Sequence, residues 1–245
     1  MATFVQDLFT GQGKAAGTVL AISGSLTVTA GNYIYVAFAS DDGGSGFGIT
    51  DNLGNTYGLV KEQINTGNVK TQLWRAPITT GGTLTTITVT WTTDVSAKAA
   101  AAGEYADIGT ERLTDGVSAN GSNATMIQSN TFFSGELWIG AIGSEGPEHA
   151  TTDSSMGTPS QTIDVRLGSN TTGGGAASNI GCSLVHALIG ADSSANGTML
   201  VGLGATRDYA GAGAIYNTAA APTFAPPPPL PYQSRPRFTP VRRMM

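Results

Sequence analysis

Charged residues are scarce in this chain. Only 12% of its 245 residues are Asp, Glu, Lys or Arg, about half the share of an average globular protein. The one cysteine, Cys182, excludes an intramolecular disulfide framework, and its apolar surroundings ("IGCSLVHALIG") predict a small buried side chain. A surface so poor in charge favours a protein that lies against other proteins. A robust secreted β-domain is the alternative.

Long apolar runs are also lacking. No stretch approaches the roughly 20 apolar residues that a membrane-spanning helix needs. The opening "MATFVQDLFTGQGKAAG" has neither the basic region nor the continuous apolar region of a secretory signal. We therefore expect no membrane partner and a protein that is assembled in the cytoplasm.

Proline is nearly absent until the end of the sequence. Three prolines precede residue 222, and the other eight begin with Pro222 itself. From Pro222 onward there are four arginines and no acid, whereas the rest of the chain has eight Lys and Arg residues against 17 Asp and Glu, a net charge of −9. An acidic body repels phosphates, so nucleic acid is not the expected partner. An acidic protein surface suits the tail better.

Alternation of apolar and polar residues dominates the body of the chain and predicts β-strands. The clearest case is 82–93, where Leu84, Ile87, Val89 and Trp91 alternate with threonines, which fit a pleated surface. Further strands are predicted at 25–30, 32–40, 55–64, 69–78, 124–130, 135–144, 161–169, 179–190, 197–206 and 211–218. No long segment has the 3.6-residue period and the caps of a helix.

Two segments are ambiguous. The alanines of 97–108 favour a helix by propensity, but the segment is short, contains Gly103 and follows a strand, so we predict a strand of small residues. The residues "TFVQDLFTGQG" predict either an edge strand or an arm exchanged with a neighbour. No internal repeat is evident, and 109–123 is a weak candidate boundary.

The expected fold class is therefore all-β. We expect one antiparallel β-sandwich, jelly-roll-like, over residues 1–220. An extended, basic, proline-rich C-terminal arm follows at 221–245.

Candidate chemistry is sparse. The segment 11–17, "GQGKAAG", superficially resembles a phosphate loop, but no Ser or Thr follows Lys14 and no helix is predicted. Glu145, Glu148, His149 and Asp153 form a group, and Asp41, Asp42 and Asp51 another, without the spacing of known metal sites. No nucleophile elbow appears. We expect no enzyme activity, no cofactor and no metal.

The arm carries the predicted partner-binding residues. Consecutive prolines favour an extended polyproline II helix, which reaches about 3.1 Å per residue. Aromatic anchors and arginines suit contacts with an acidic protein, whereas the position of Arg235 fits neither orientation of a signalling ligand. A solvated tail is the alternative. The predicted contact residues are Pro226, Pro227, Pro228, Pro229, Tyr232, Arg235, Arg237, Phe238, Arg242 and Arg243.

Residues 48–109 resemble β-sandwich structural proteins of tailed-bacteriophage virions, which also occur among bacterial surface proteins. The resemblance rests on an Asp-x-x-Gly-Asn-x-Tyr turn (Asp51 to Tyr57), a strand ending in Trp74 and Ala76, a Gly81-Gly82 turn, a Thr/Val strand and a final Gly103-Glu104-Tyr105. It implies a virion role. We expect a capsid decoration protein that contacts the major capsid protein or other virion subunits and forms a homo-oligomer.

Two other functions stay open. The first is a component of the phage tail, fibre or baseplate. The second is a carbohydrate-binding surface module, which would need exposed tryptophans lining a groove. We expect at least two of Trp74, Trp91 and Trp138 to lie in the core instead.

Overall fold

The computed structural model describes residues 2–122, 125–147, 154–155, 162–175, 178–192, 197–200 and 206–218. Among these residues the fold is nearly all β, with antiparallel sheets. The first eight strands are β1 (Thr3–Gly13), β2 (Gly17–Val28), β3 (Tyr33–Ser40), β4 (Gly48–Asp51), β5 (Gly58–Asn65), β6 (Val69–Pro77), β7 (Gly82–Val95) and β8 (Lys98–Ala106). The next eight are β9 (Ile108–Ser122), β10 (Thr125–Asn130), β11 (Leu137–Glu145), β12 (Ser154–Ser155), β13 (Thr162–Asn170), β14 (Ile180–Leu188), β15 (Gly197–Leu200) and β16 (Arg207–Thr218).

The strands form four sheets. The first half of the chain makes a five-stranded sheet in the order β1-β8-β3-β6-β5 and a three-stranded sheet in the order β2-β7-β4. The second half makes a six-stranded sheet in the order β12-β13-β14-β11-β16-β9 and a two-stranded sheet of β10 and β15. Among the described strands, each sheet draws on one half of the chain only.

The strand order of the second half repeats that of the first. Adding eight to each strand number of the order β1-β8-β3-β6-β5 gives β9-β16-β11-β14-β13, and β2-β7 likewise gives β10-β15. The one difference is β12, the counterpart of β4, which pairs with β13. Register agrees as well, because Ala37 of β3 and Ala141 of β11 are each flanked by an alanine and a leucine, namely Ala101 and Leu73, and Ala212 and Leu184.

Irregular features recur at equivalent positions. A bulge interrupts β5 between Leu59 and Lys61, and another interrupts β13 between Val165 and Leu167. The first bulge lies opposite Leu73, the partner of Ala37, and the residue that follows it. The second lies opposite Leu184, the partner of Ala141, and the residue that follows it. Since a bulge alters local twist and curvature, both large sheets have this local irregularity at the same place.

The turns before β3 and β11 are also equivalent. Gly31 and Gly135 have φ angles of 91° and 87°, a region that only glycine adopts at little cost. Their amides donate hydrogen bonds of 2.9 and 2.7 Å to the carbonyls of Ile78 and Ile189. This agreement in strand order, register, bulges and turns shows that β9–β16 repeat the structure of β1–β8.

Three apolar clusters hold the sheets together. Successive residues of a strand point to opposite faces, and β3 is buried on both. Ile34, Val36 and Phe38 belong to a cluster shared with the three-stranded sheet. Tyr35, Ala37 and Ala39 belong to a cluster shared with the six-stranded sheet. A third cluster, which includes Trp138, lies on the far face of the six-stranded sheet.

The two halves pack through their large sheets, and their contacts come in reciprocal pairs. The equivalent strands β3 and β11 lie against each other. The contact of β6 with β11 corresponds to that of β14 with β3. The contact of β5 with β16 corresponds to that of β13 with β8. Small residues permit the close approach: a Cβ atom on Gly143 would lie 2.8 Å from Cβ of Ala39. The alanines of β8 likewise permit close packing on both faces of the five-stranded sheet.

The all-β prediction is confirmed, and so is the strand at 97–108, which forms β8. Its alanines override their helical propensity because they fit between closely packed sheets. The N-terminal segment is an edge strand, paired with β8 of the same chain. Residues 109–122 lie in β9, which begins the second half directly after β8. The expectation of no internal repeat was wrong, because the structure contains a repeat that the residue pattern does not reveal. No helix in the described part of the chain is long and apolar enough to cross a bilayer.

Candidate interaction site

The predicted partner-binding residues, Pro226 to Pro229, Tyr232, Arg235, Arg237, Phe238, Arg242 and Arg243, lie outside the described residues. The described chain ends at Thr218, the last residue of β16, which pairs with Ile108 at the start of β9. The surface around this point is therefore where the arm leaves the body.

A groove of about 470 Å³ lies at this end of the molecule. It is formed where β3 begins, β6 ends, β5 begins and β9 begins. We call it the end groove, and its lining residues are Tyr33, Thr56, Tyr57, Gly58, Leu59, Val60, Arg75, Pro77 and Glu111. Leu59 is 47% exposed, so the groove presents a large apolar side chain to solvent.

Arg75 fixes one wall of the end groove. Its guanidinium carbon lies 5.3 Å from the ring centre of Tyr33 and 5.2 Å from that of Tyr216. The Tyr216 hydroxyl donates a 3.4 Å hydrogen bond to Oε2 of Glu111. Burial, foremost, raises the pKa of Tyr216 to about 12, so the hydroxyl stays protonated and able to donate at neutral pH. Cation–π contacts of this kind stabilise by about 0.5–2 kcal/mol each.

The turn from Asp51 to Tyr57 positions another wall. Asp51 Oδ1 accepts hydrogen bonds from the amides of Leu53 (2.9 Å) and Asn55 (3.1 Å), while Oδ2 accepts from Asn55 Nδ2 (2.8 Å) and the Tyr57 hydroxyl (2.9 Å). Gly54 within it has a φ of 76°. One carboxylate thus closes the whole turn and holds the Tyr57 ring at the groove. Burial and the Asp51 charge raise the pKa of Tyr57.

A second groove of about 240 Å³ adjoins the first and shares Leu59 with it. Phe47, Glu62, Lys70 and Trp74 are among its lining residues. Trp74 Nε1 donates a 3.0 Å hydrogen bond to Gln72, whose amide in turn donates to Glu62. The two grooves follow β5, the edge strand of the five-stranded sheet.

The three tryptophans are all buried. Trp74, Trp91 and Trp138 are 7%, 4% and 0% exposed, which confirms the expectation that at least two lie in the core. Their ring faces are therefore not presented as a platform on which a sugar could stack.

Lys14 does not lie in a phosphate site. Its ammonium donates hydrogen bonds to the Gly173 carbonyl, to Ser178 Oγ (3.0 Å) and to Asn179 Oδ1 (3.0 Å). The β1–β2 turn of the first half is thereby fastened to the β13–β14 turn of the second. The segment 11–17 has a structural role between the two halves.

The candidate acidic groups are dispersed. Asp41 accepts a hydrogen bond from the Ala97 amide and Asp42 one from the Gly67 amide, while Asp51 closes its own turn. Glu145 lies at the end of β11, paired with Asp208; Glu148, His149 and Asp153 lie outside the described residues. In the part of the chain that the structure describes, no three His, Cys, Asp or Glu side chains come together to hold a metal.

His186 and Cys182 lie in β14, as the apolar sequence around them predicts. His186 stacks on Phe4 at 5.3 Å and accepts or donates a 3.3 Å hydrogen bond with the Tyr105 hydroxyl. Cys182 is fully buried, and burial raises the pKa of its thiol. A buried thiol of raised pKa is a poor nucleophile.

Sequence reasoning missed the end groove. Its residues come from four separate segments of the chain, which meet because the starts of β3, β5 and β9 and the end of β6 lie on the same side. The one usable signal was the turn motif ending at Tyr57. Comparison of the chain with protein-family models, curated proteins and solved structures finds no match.

Proposed function

We propose that this chain is a structural virion protein of a tailed phage. Its role is that of a capsid decoration protein, anchored to neighbouring subunits by its C-terminal arm. In place of the single β-sandwich expected over residues 1–220, we assign one jelly-roll-like β-sandwich to each half of the body on the basis of its strand order, followed by an extended arm at 221–245. Partners are the major capsid protein or other virion subunits, including further copies of the chain, and assembly takes place in the host cytoplasm.

One observation carries this proposal. A body of net charge −9 ends in a segment with four arginines, eight prolines and no acid, and the described chain ends at Thr218, two residues after Tyr216, which contacts the groove residues Arg75 and Glu111. Opposite charges on body and arm suit attachment of one acidic subunit to another, because arginine pairs well with carboxylates.

Three further observations support a structural role. The residues that resemble virion proteins, Asp51 to Tyr57, close a turn and lie at no catalytic centre. The low charge of the chain suits a surface covered by neighbours. Buried tryptophans give the carbohydrate-binding alternative no support, whereas a component of the tail, fibre or baseplate would use the same arm.

The experiment uses particles of the phage that encodes the chain. Virions are produced with the full chain or with a variant lacking residues 222–245, and the copy number on purified particles is measured by quantitative mass spectrometry. We expect the truncated chain to be lost from particles while circular dichroism shows an intact β-rich body. Normal occupancy of the truncated chain would refute the proposal.

A second variant separates charge from length. Arg235, Arg237, Arg242 and Arg243 are all replaced by glutamine, which keeps the length and the prolines. We expect occupancy to fall and to become more sensitive to salt, because screening weakens exposed ionic contacts. Head and tail locations are distinguished by electron microscopy of particles carrying a labelled chain.

A further inference from the structure

We propose that the end groove receives the proline-rich segment 222–243 of a second copy of this chain. The inference rests on the proposed function, since it names the surface that the arm of a neighbouring copy would occupy.

The chemistry of the end groove suits proline. Tyr33, Tyr57 and Pro77 line it, and Leu59 is one of few large apolar side chains exposed among the described residues. Proline-rich segments dock in aromatic-lined grooves because their backbone is already extended and loses little entropy on binding. Four consecutive prolines followed by Leu230, Pro231 and Tyr232 provide a matching apolar strip.

Charge complements shape. Glu111 is exposed at the rim of the end groove, and Glu62 lines the adjoining groove on the far side of Leu59. The arm has four arginines and no acid. Arg235 follows Pro229 by six residues, about 19 Å in an extended conformation. With the prolines in the end groove, the arginines are therefore positioned to reach along β5 toward Glu62.

The link between body and prolines favours a second copy over the chain's own groove. Residues 219–225 are "AAAPTFA", with no Gly, Asn or Asp to form a reverse turn. Pro222 also biases the residue before it toward extended backbone. In an extended conformation seven residues span about 22 Å, and such a link would place the prolines away from the end groove of their own chain.

Crosslinking between two variants of the full chain tests this. One variant carries Leu59→Cys and the other Pro228→Cys; the native Cys182 is fully buried and does not compete. The two proteins, one of them isotope-labelled, are mixed with a bifunctional thiol reagent. We expect a covalent heterodimer joining residue 59 of one chain to residue 228 of the other, identified by mass spectrometry.

Leu188→Cys is the matched control, because Leu188 is also an exposed leucine (40%) on a strand end, outside the end groove. Its mixture with the Pro228→Cys chain should give at most about a tenth of the heterodimer, the factor that a contact of 1.4 kcal/mol supplies. Equal yields from the two mixtures would overturn the inference. So would a double variant, Leu59→Cys with Pro228→Cys, that crosslinks only within one chain at high dilution.

A groove variant separates this inference from the proposed function. Leu59→Asp places a charge in the end groove at an exposed position, so the fold is retained. We expect self-association, measured by light scattering, to weaken at least about tenfold. If particles lose the arm-truncated chain but retain the Leu59→Asp chain at normal occupancy and with undiminished self-association, the proposed function stands and the second-copy contact is wrong.

Discussion

Arg75 and His186 occupy equivalent positions in the two halves, and each packs against the last strand of the other half's large sheet. The Arg75 guanidinium lies 5.2 Å from the ring of Tyr216 on β16, and the His186 ring lies 5.5 Å from that of Tyr105 on β8. Tyr105 and Tyr216 are themselves equivalent, since they pair with Tyr33 and Leu137 at the start of β3 and β11. Each half therefore contacts the other through the same pair of positions, although the side chains at those positions differ.

Arg75→Ala should destabilise the fold. The change removes contacts with Tyr33 and Tyr216 and opens the wall of the end groove. We expect the free energy of unfolding in urea to fall by about 1–3 kcal/mol. Arg75→Lys keeps the charge but loses the planar group, so it should recover only part of the loss. A fully stable Ala variant would show that this contact does not hold the halves together.

Gly143→Ala tests the close approach of the large sheets. The added methyl would press on Thr71 and lie 2.8 Å from the Cβ of Ala39. Backbone cannot yield easily between two sheets, so we expect a loss of about 1–3 kcal/mol. Gly43, where a Cβ meets nothing within 4 Å, is the matched control. Similar unfolding midpoints for the two alanine variants would contradict the packing described.

The free energy of unfolding should fall steeply at high pH. Burial raises the pKa of Tyr216 from 10.0 to about 12 and also raises that of Tyr35. The folded state therefore holds these protons more tightly than the unfolded state. Stability is fully present below pH 10 and is lost as the pH rises through about 12, by roughly 3 kcal/mol at most for Tyr216.

Tyr216→Phe provides the control for the alkaline loss. The variant lacks the ionisable hydroxyl, so its unfolding free energy should decline less between pH 10 and pH 12 than that of the unchanged chain. Denaturant titrations at pH 8, 10, 11 and 12 measure the difference. Parallel curves would mean that Tyr216 does not contribute to the loss.

Asp208→Asn should stabilise the chain at neutral pH. Burial raises the pKa of Glu145, and the paired Asp208 raises it further. A raised carboxyl pKa means that stability is present below the unfolded pKa and lost as the pH rises through the folded one. Removing the like charge should restore at most about 1 kcal/mol at pH 7. Melting at pH 7 and at pH 3 tests this, and an equal gain at both values would exclude the electrostatic explanation.

Strands were predictable from the sequence because threonine and branched residues alternate in 82–93 and buried runs such as 32–40 stand between turn residues. The repeat was not, because equivalent positions differ in chemistry: Trp74 corresponds to Val185, and Arg75 to His186. What the halves share is strand order, register, one turn and one bulge, which depend on backbone geometry. β9 was missed because its charged and glycine residues gain their strand conformation from pairing with β16.

The end groove was beyond sequence reasoning for a similar reason. Tyr33, Leu59, Arg75 and Glu111 are far apart in the chain, and only the packing of β9 against β5 places Glu111 near the others. The local part, the turn that ends at Tyr57, was recognisable because Asp, Gly and Asn have specific conformational and hydrogen-bonding roles in turns.

The two halves have different side chains at equivalent positions, and this difference affects the symmetry of an assembly of copies. The positions equivalent to Arg75 and Glu111 are His186 and Phe4, which stack on each other, so among the described residues the charged pair of the end groove is not repeated at the equivalent place. If the arm of one copy enters the end groove of the next, as proposed, the contact is head-to-tail, and such contacts close into rings or extend as rows. If the two halves had identical side chains, each copy would instead present two equal grooves. The arm of a neighbour could then enter either one, and a row of copies would have no fixed direction.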